Sequence, residues 1–301
     1  MKKFDSVKSL KIFAAIALAI IVAGAFILGF FGYNRDVRSA AHCEVKVSAE
    51  ENFGDVNENM TAAAEAAFAE YGLKYVYKET MDDGRAVLYL FKGESSVSDE
   101  AVASLQSRLD EAFSSSTVEV TAARYGAEGY ADLGEMWWAL LAAGILFVVA
   151  FFYMALRYKW AAAFAFAITA AGGTALAAML CALTRVVITP AFLAVMAAAF
   201  AFSAVFALYF ANVVWEDKKN VANESASAAA IVSGAFREVF LKTLATFVAA
   251  VILAAGLLLL APVGAKYAAV QFIVCLACAA AFTLFGYGGL YAVFAKKNQK
   301  K

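Results

Sequence analysis

The sequence predicts an α-helical membrane bundle of six transmembrane helices that carries one inserted α+β domain. Of its 301 residues, 63% are hydrophobic and only two are proline, which is typical of membrane proteins and excludes soluble classes. Six apolar stretches each approach the ~20 residues that a helix needs to cross about 30 Å of hydrocarbon. Between the first and second stretches, residues 34–134 hold nineteen acidic and nine basic residues, which is typical of a soluble domain.

These stretches divide the chain. The first follows Lys2, Lys3, Lys8 and Lys11 and is longer than the apolar core of a signal peptide, so we expect an uncleaved membrane anchor. The predicted segments are a cytoplasmic N-terminus (1–11), the first transmembrane helix (12–33), an extracytoplasmic acidic domain (34–134), a five-helix transmembrane domain (135–295, with spans at about 136–156, 161–183, 191–215, 241–261 and 268–294) and a basic tail (296–301).

The acidic domain shows an alternation of strand and helix patterns. Residues 43–49, 73–79, 85–92 and 116–124 have the composition of strands, and MDDG at 81–84 predicts a hairpin turn. Residues 58–71 repeat apolar side chains at helical spacing up to Gly72, and a second helix after Ser98 carries Val102, Leu105, Leu109 and Phe113 on one face. The order predicts the ferredoxin-like βαββαβ fold, which hosts many functions.

Basic residues predict the orientation of the spans. Fourteen lysines and arginines fall at the N-terminus, in LRYKW (156–160), in the 216–242 region and in the tail, against Arg185 and Lys266 in the loops of the opposite side. The positive-inside rule therefore places both termini in the cytoplasm. The Ala- and Ser-rich loop 216–238 is expected to form a helix along the membrane surface.

Metal, redox and enzyme chemistry are not expected. Cys275 and Cys278 lie at helical spacing in an apolar span, which favours packing over a ligand pair, and His42 is the single histidine. The sequence has no nucleotide-binding loop, no metal-ligand spacing and no nucleophile beside a base. We therefore expect no enzymatic activity, no cofactor and no nucleic-acid partner.

Small residues mark one face of the third span. Thr169, Gly173 and Ala177 recur at four-residue spacing, which lets helices approach closely in lipid. We expect this face to be buried against another helix.

Membrane carboxylates are almost absent. No acidic residue occurs between Glu135 and Glu216 or after Glu238, so Tyr209 is the only titratable group in the middle of the fourth span. A phenol with a pKa near 10 carries protons poorly at neutral pH. We expect Tyr209 to be a packed aromatic with a hydrogen-bonded hydroxyl.

Three motifs and the layout together resemble SecF, a member of the SecD/SecF family of protein-export accessory subunits in the resistance-nodulation-division (RND) superfamily. The layout is one span, a βαββαβ domain, then five spans. Leu156, Arg157, Tyr158 and Trp160 resemble the family's LRF-x-W turn, and NVVWEDKKN at 212–220 resembles its VVVFDRIREN ending. LKTLATF at 241–247 resembles TLxRTxxTS. The motif positions that the resemblance singles out are Arg157, Leu208, Tyr209, Asn212, Lys242, Thr243 and Thr246.

The departures concern the family's charged residues. The D-F-x-G-G signature survives only as Asp36, the His-Asp pair of helix three falls near Gly172 and Gly173, and the Asn-Asp pair of helix four falls within residues 205–210, which contain no carboxylate. The expected proton-relay carboxylate is therefore missing from these helices.

The resemblance implies an accessory subunit in a bacterial plasma membrane. Its implied partners are a SecD-like subunit, the Sec channel, unfolded exported polypeptides and the lipid bilayer. Two other interpretations stay open: a divergent RND-type exporter subunit for small molecules or lipids, and a non-transporting membrane scaffold.

Overall fold

The computed structural model describes residues 5–39, 41–49, 57–81, 84–93, 99–112, 118–125, 133–189, 191–219, 226–261 and 263–298. The chain forms two compact units. Arg35–Asp132 is called the α+β unit, and Met1–Asn34 with Leu133–Lys301 is called the membrane unit. Some predicted features lie outside the described residues. They are residues 82–83 of the hairpin turn, the linker at 126–132, the helix start at Ser98, Phe113 on the helix face, and the tail beyond Asn298.

The α+β unit has the predicted βαββαβ order. Its sheet runs β2-β3-β1-β4 with every neighbouring pair antiparallel, so the ferredoxin-like arrangement is confirmed. Its elements are β1 (His42–Ala49), α2 (Asn57–Ala69), β2 (Lys74–Met81), β3 (Ala86–Lys92), α3 (Asp99–Ala112) and β4 (Val118–Tyr125).

One sheet face and two helices form the core of this unit. Val45 and Val47 on β1 are fully buried because side chains two residues apart share a sheet face. The buried side chains of α3 are Ala101, Leu105 and Leu109, whereas Val102, predicted for that face, is only half buried. The run Ala101, Leu105 and Leu109 keeps four-residue spacing, and Val102 lies at its edge.

A glycine ends α2. Gly72 has φ 74°, and the amide of Leu73 donates to the carbonyl of Phe68. This left-handed residue with a backbone bond back to the last turn is the usual glycine stop of a helix, as the sequence predicted.

The membrane unit contains the six long apolar helices that the sequence predicts, and the protein is a multi-pass membrane protein. Helix α5 lies at its centre and packs against α1, α4, α6, α8 and α9. The elements are α1 (Ser6–Phe31), α4 (Leu133–Tyr158), α5 (Trp160–Leu183), α6 (Phe192–Lys219), α7 (Ala228–Leu260) and α8 (Val263–Ala281), continued through a π-helical turn (Phe282–Tyr287) into α9 (Gly288–Asn298).

The starts of α1 and α7 differ most from the predicted spans. Helix α1 begins at Ser6 because the Asp5 carboxylate accepts hydrogen bonds from the amides of Val7 and Lys8, so the helix precedes the apolar span. Residues 228–238, expected in a separate surface helix, are instead the first turns of α7. Ser227 caps this start by accepting from the amide of Ala230, and nothing breaks the helix before Leu260.

The small-residue face of α5 is buried, as predicted. Thr169 and Ala177 are fully buried, and a Cβ at Gly173 would lie 3.5 Å from both the Cβ of Phe282 and the Oγ of Ser203. Cys275 and Cys278 are buried in an apolar cluster between α5, α6 and α8, which agrees with their predicted packing role.

Glycines also bring α1 close to its neighbours. A Cβ at Gly24 would lie 2.6 Å from the Cβ of Met179 on α5, and one at Gly289 on α9 would lie 2.7 Å from the carbonyl oxygen of Ser6. Neither position has room for a side chain. Helix α1 therefore packs backbone against backbone with α5 and with α9.

Polar contacts tie the end of α1 to the turn between α5 and α6. The Arg185 guanidinium donates to the carbonyl of Gly32 at 2.6 Å, and the Asn34 amide donates to the carbonyl of Arg185 at 2.8 Å. Nearby, the buried Gln271 side chain accepts from Thr189 and donates to the carbonyl of Val187. At this end of the bundle, hydrogen bonds therefore join the end of α1 to the turn between α5 and α6, and that turn to α8.

Candidate functional site

Side chains from the turn between α4 and α5 form a hydrogen-bonded chain with α6. The Arg157 Nε donates to the Tyr158 hydroxyl at 3.0 Å, and this hydroxyl donates to the Asn212 Oδ1 at 3.1 Å. The Asn212 amide nitrogen then donates to Glu216, one turn further along α6, at 2.7 Å. Two motif positions from distant parts of the sequence, Arg157 and Asn212, therefore meet through Tyr158.

A second polar group joins α6 to α7. The Tyr209 hydroxyl donates to Glu238 Oε1 at 2.5 Å, and the Lys242 ammonium donates to the same oxygen at 3.1 Å while lying 4.6 Å from the centre of the Tyr209 ring. The Glu238 and Lys242 side chains are 54% and 59% exposed. We call Tyr209, Glu238 and Lys242 the α6–α7 clamp.

The clamp corrects one inference from the sequence. No carboxylate belongs to α6 near Tyr209, but α7 brings Glu238 to the Tyr209 hydroxyl. The sequence could not show this, because the two residues are twenty-nine positions apart and only the packing of α6 on α7 joins them. The expected hydrogen-bonded hydroxyl of Tyr209 is confirmed.

The geometry of the clamp indicates an ion pair. Glu238 receives hydrogen bonds from a phenol and from an ammonium group, and both stabilise the ionised carboxylate. Lys242 also lies over an aromatic ring, where a cation is attracted to the negative face of the π system. The arrangement links α6 to α7 and pairs the Glu238 carboxylate with the positive charge of Lys242.

The remaining motif positions lie along the same two helices. Thr243 is fully buried, and its hydroxyl has no hydrogen-bond partner within the described part of the chain. The Thr246 hydroxyl donates to the carbonyl of Lys242 at 3.1 Å, so it serves its own helix. Leu208 packs, partly buried, against the main core cluster. These three do not join the clamp's hydrogen bonds.

In the middle of α5, at the positions that the resemblance aligns with the family's His-Asp pair, an aromatic ring packs against the backbone of the helix. A Cβ at Gly172 would lie 2.8 Å from the Cε1 of Phe282, so the ring occupies the space that a side chain on α5 would need. Ser203 is buried against the neighbouring Gly173, and Thr169, one turn before Gly173 on α5, is also buried. The middle of α5 is therefore built for close packing with small hydroxyl groups and without charge.

The sequence did not single out Tyr158, Glu216 and Glu238 as hydrogen-bond partners in these two polar groups. A local signal existed for two of them, because Asn212 with Glu216 and Glu238 with Lys242 lie at the i, i+4 spacing that places side chains on one helix face. Tyr158 was noted only as part of the turn motif.

Comparisons with known proteins give a structural likeness without a sequence match. No protein-family model matches the chain, and no curated protein matches it. A crystal structure of SecDF in a super-membrane-facing form aligns with 100% of this chain at a TM-score of 0.67 and 15% identity. A structure of SecDF from Thermus thermophilus, described as a translocon-associated membrane protein, aligns with 98% at a TM-score of 0.64 and 18% identity.

These likenesses establish the fold. The whole chain, with its six spans and its α+β unit, has the architecture found in part of SecDF. The chain spans about 40% of the length of those proteins. The alignments do not distinguish a SecD-type from a SecF-type half.

Proposed function

We propose that this protein is a SecF-like accessory subunit of bacterial protein export, which works with a SecD-like partner and the Sec channel. The observation that carries the proposal is the layout: one span, a βαββαβ unit and five spans align from end to end with a portion of SecDF. That portion is about 40% of the SecDF chain.

The proposed place is a bacterial plasma membrane with both termini in the cytoplasm. The distribution of lysine and arginine supports this orientation, since the short loops and termini on one side carry almost all of the basic residues. The α+β unit is then extracytoplasmic. Its ten-charge excess of acidic residues favours transient contact with basic or unfolded segments of exported polypeptides.

The subunit is proposed to be non-enzymatic and to depend on its partner for proton coupling. The middle of the bundle contains small hydroxyl groups and glycines at the positions that the family fills with charge, and Glu238 is paired with Lys242. The α6–α7 clamp is better suited to holding the two helices in register.

An exporter of small polar molecules is a weaker proposal. A cavity of about 350 Å³ between α6, α7 and α8 is lined by apolar residues: Val195, Ala250, Leu253, Ala254, Leu257, Ala265, Ala268, Ala269 and Phe272. A polar substrate would lose its hydration there without replacement hydrogen bonds.

Co-purification tests the proposal. The tagged full-length protein is extracted from its native membranes in a mild detergent, and the bound chains are identified by mass spectrometry. We expect a SecD-like chain with the Sec channel. An unrelated polytopic membrane protein carrying the same tag is the control, and recovery of a small-molecule exporter assembly in their place would contradict the proposal.

A further inference from the structure

The basic end of the membrane unit contains a cavity that the proposed function does not use. It has a volume of about 150 Å³ and lies where the ends of α4, α5, α6, α7 and α9 converge. We call it the basal cavity. Its walls combine two lysines, three aromatic side chains and small apolar residues: Tyr158, Lys159, Ala161, Val214, Trp215, Lys218, Ala226, Ala228, Ile231, Tyr291 and Ala295.

The charge on the walls is positive. Lys159, in the turn between α4 and α5, and Lys218 on α6 both line the cavity, and no carboxylate is among the described residues that line it. Of the described acidic side chains at this end of α6, Glu216 accepts from Asn212, and Asp217 lies beside Gly234 of α7. Among the described residues that line the cavity, the two lysines are therefore the charged ones.

Two neutral groups add hydrogen-bond donors. Tyr291 is only 8% exposed and lines the cavity, and its hydroxyl has no hydrogen-bond partner among the residues that the structure describes. Ala228 begins α7 at the wall, ahead of Ala230, which donates the first backbone hydrogen bond of that helix. Such a helix start carries partial positive charge and favours an anion.

Lys159 is held in a conformation that lysine rarely adopts. Its φ of 73° and ψ of 165° lie in a backbone region that is essentially restricted to glycine. Glycine would relieve the strain, yet a lysine that lines the basal cavity occupies the turn. Residues kept in such conformations cluster at functional sites.

We propose that the basal cavity binds a phosphate group, supplied either by the headgroup of an anionic phospholipid or by free phosphate. The cavity is about ten times the minimum space that a single water needs, which suits a tetrahedral oxyanion. Two ammonium groups, a phenol hydroxyl and amide donors match its oxygens. Trp215 and Tyr158 supply the aromatic wall that favours the border between headgroups and acyl chains.

Lysine substitutions in the full-length protein test the site. Purified, delipidated protein is titrated in neutral detergent with phosphatidylglycerol, with phosphatidylcholine and with inorganic phosphate, and bound ligand is counted by native mass spectrometry. Lys159→Gln and Lys218→Gln are each expected to weaken phosphatidylglycerol binding about fivefold, the usual effect of one lysine at an anionic membrane surface. Lys8→Gln, an equal charge change away from the cavity, should leave binding unchanged.

Lys159→Gly separates binding from folding. This variant removes the charge and also relieves the backbone, so its melting temperature should equal or exceed that of the wild type while its affinity falls as in Lys159→Gln. Binding to phosphatidylglycerol alone, with this dependence on lysine, assigns the site to a lipid. The same dependence with inorganic phosphate assigns it to a soluble phosphate. Equal binding by the double Lys159→Gln, Lys218→Gln variant and by Lys8→Gln would overturn the proposal, as would full affinity in Lys159→Gly.

Discussion

Asp36, at the start of the α+β unit, is a buried acidic residue that is only 3% exposed. Burial raises the pKa of this carboxyl above its ordinary value, and the Val37 amide and the Arg38 charge oppose the shift only in part. A raised pKa means that the protonated form favours the fold. The stabilisation is complete below the ordinary pKa of aspartate and is lost as the pH rises through the raised value.

Asp36→Asn is therefore expected to stabilise the α+β unit at pH 7 by a few degrees in melting temperature. It should also remove the part of the pH dependence in which wild-type stability increases on acidification from neutral. Thermal unfolding of residues 35–132, followed by circular dichroism between pH 4 and pH 8, measures both effects. Glu70→Gln, the same chemical change at an exposed position, is the control. A lower melting temperature for Asp36→Asn at pH 7 would contradict the expectation.

The same unit shows where single residues could be read from the sequence. The pattern of residues 43–49 predicted a strand, and in the structure Val45 and Val47 are buried on one face of it, because strand period places alternate side chains on the same face. The ion pair of Arg38 with Glu79, at 2.8 Å, could not be found this way. It joins residues brought together by tertiary structure, as the Tyr209 to Glu238 contact does in the membrane unit.

Among helices, the contact of α1 with α5 gives the clearest prediction. Gly24→Ala should destabilise the membrane unit, because the added methyl group would collide with the backbone and Cβ of Met179, neither of which can rotate away. Overpacking of this kind costs about 1–3 kcal/mol.

Gly29→Ala on the same helix is the matched control, since a Cβ there has no neighbour within 4 Å. Melting temperatures in one detergent compare the two variants. Alanine favours helix over glycine by up to about 1 kcal/mol, so Gly29→Ala should melt at the same temperature or slightly higher. Equal melting of both variants would show that α1 and α5 do not touch at Gly24.

The sequence predicted which segments form helices, but it did not predict how far each helix continues. Each apolar run of about 20 residues indicated its own span, which depends only on length and composition. The extension of α7 back to Ala228 was missed because small and polar residues at its start suggested a surface segment. The π-helical turn at Phe282–Tyr287 has no periodic signal, since it depends on how Phe282 packs against α5.

At the scale of the whole molecule, the α+β unit should fold by itself. Its four strands and two helices enclose a core of fully buried side chains that includes Phe68, Tyr89 and Phe91. Residues 35–132 expressed alone should give a mixed α and β circular dichroism spectrum and a cooperative melt. A random-coil spectrum would show that this core needs the rest of the chain.

The membrane unit by itself is expected not to conduct protons. The α6–α7 clamp itself consists of an ion pair and a phenol, and no acidic residue lies between Glu135 and Glu216 in the sequence. In vesicles with an imposed pH gradient, the full-length protein should leak no faster than empty lipid. A faster flux that Tyr209→Phe or Glu238→Gln abolishes would show that the clamp relays protons.

The glycine contacts of α1 determine the order in which the bundle can assemble during synthesis. This helix enters the membrane first, yet its close partners are α5 and α9 rather than the next span, α4. The close contact at Gly24 therefore waits for α5 to leave the ribosome, and the contact of Ser6 with Gly289 waits for α9. A nascent chain halted between α5 and α9 can already pack α1 on α5, but it lacks the second close contact of this helix.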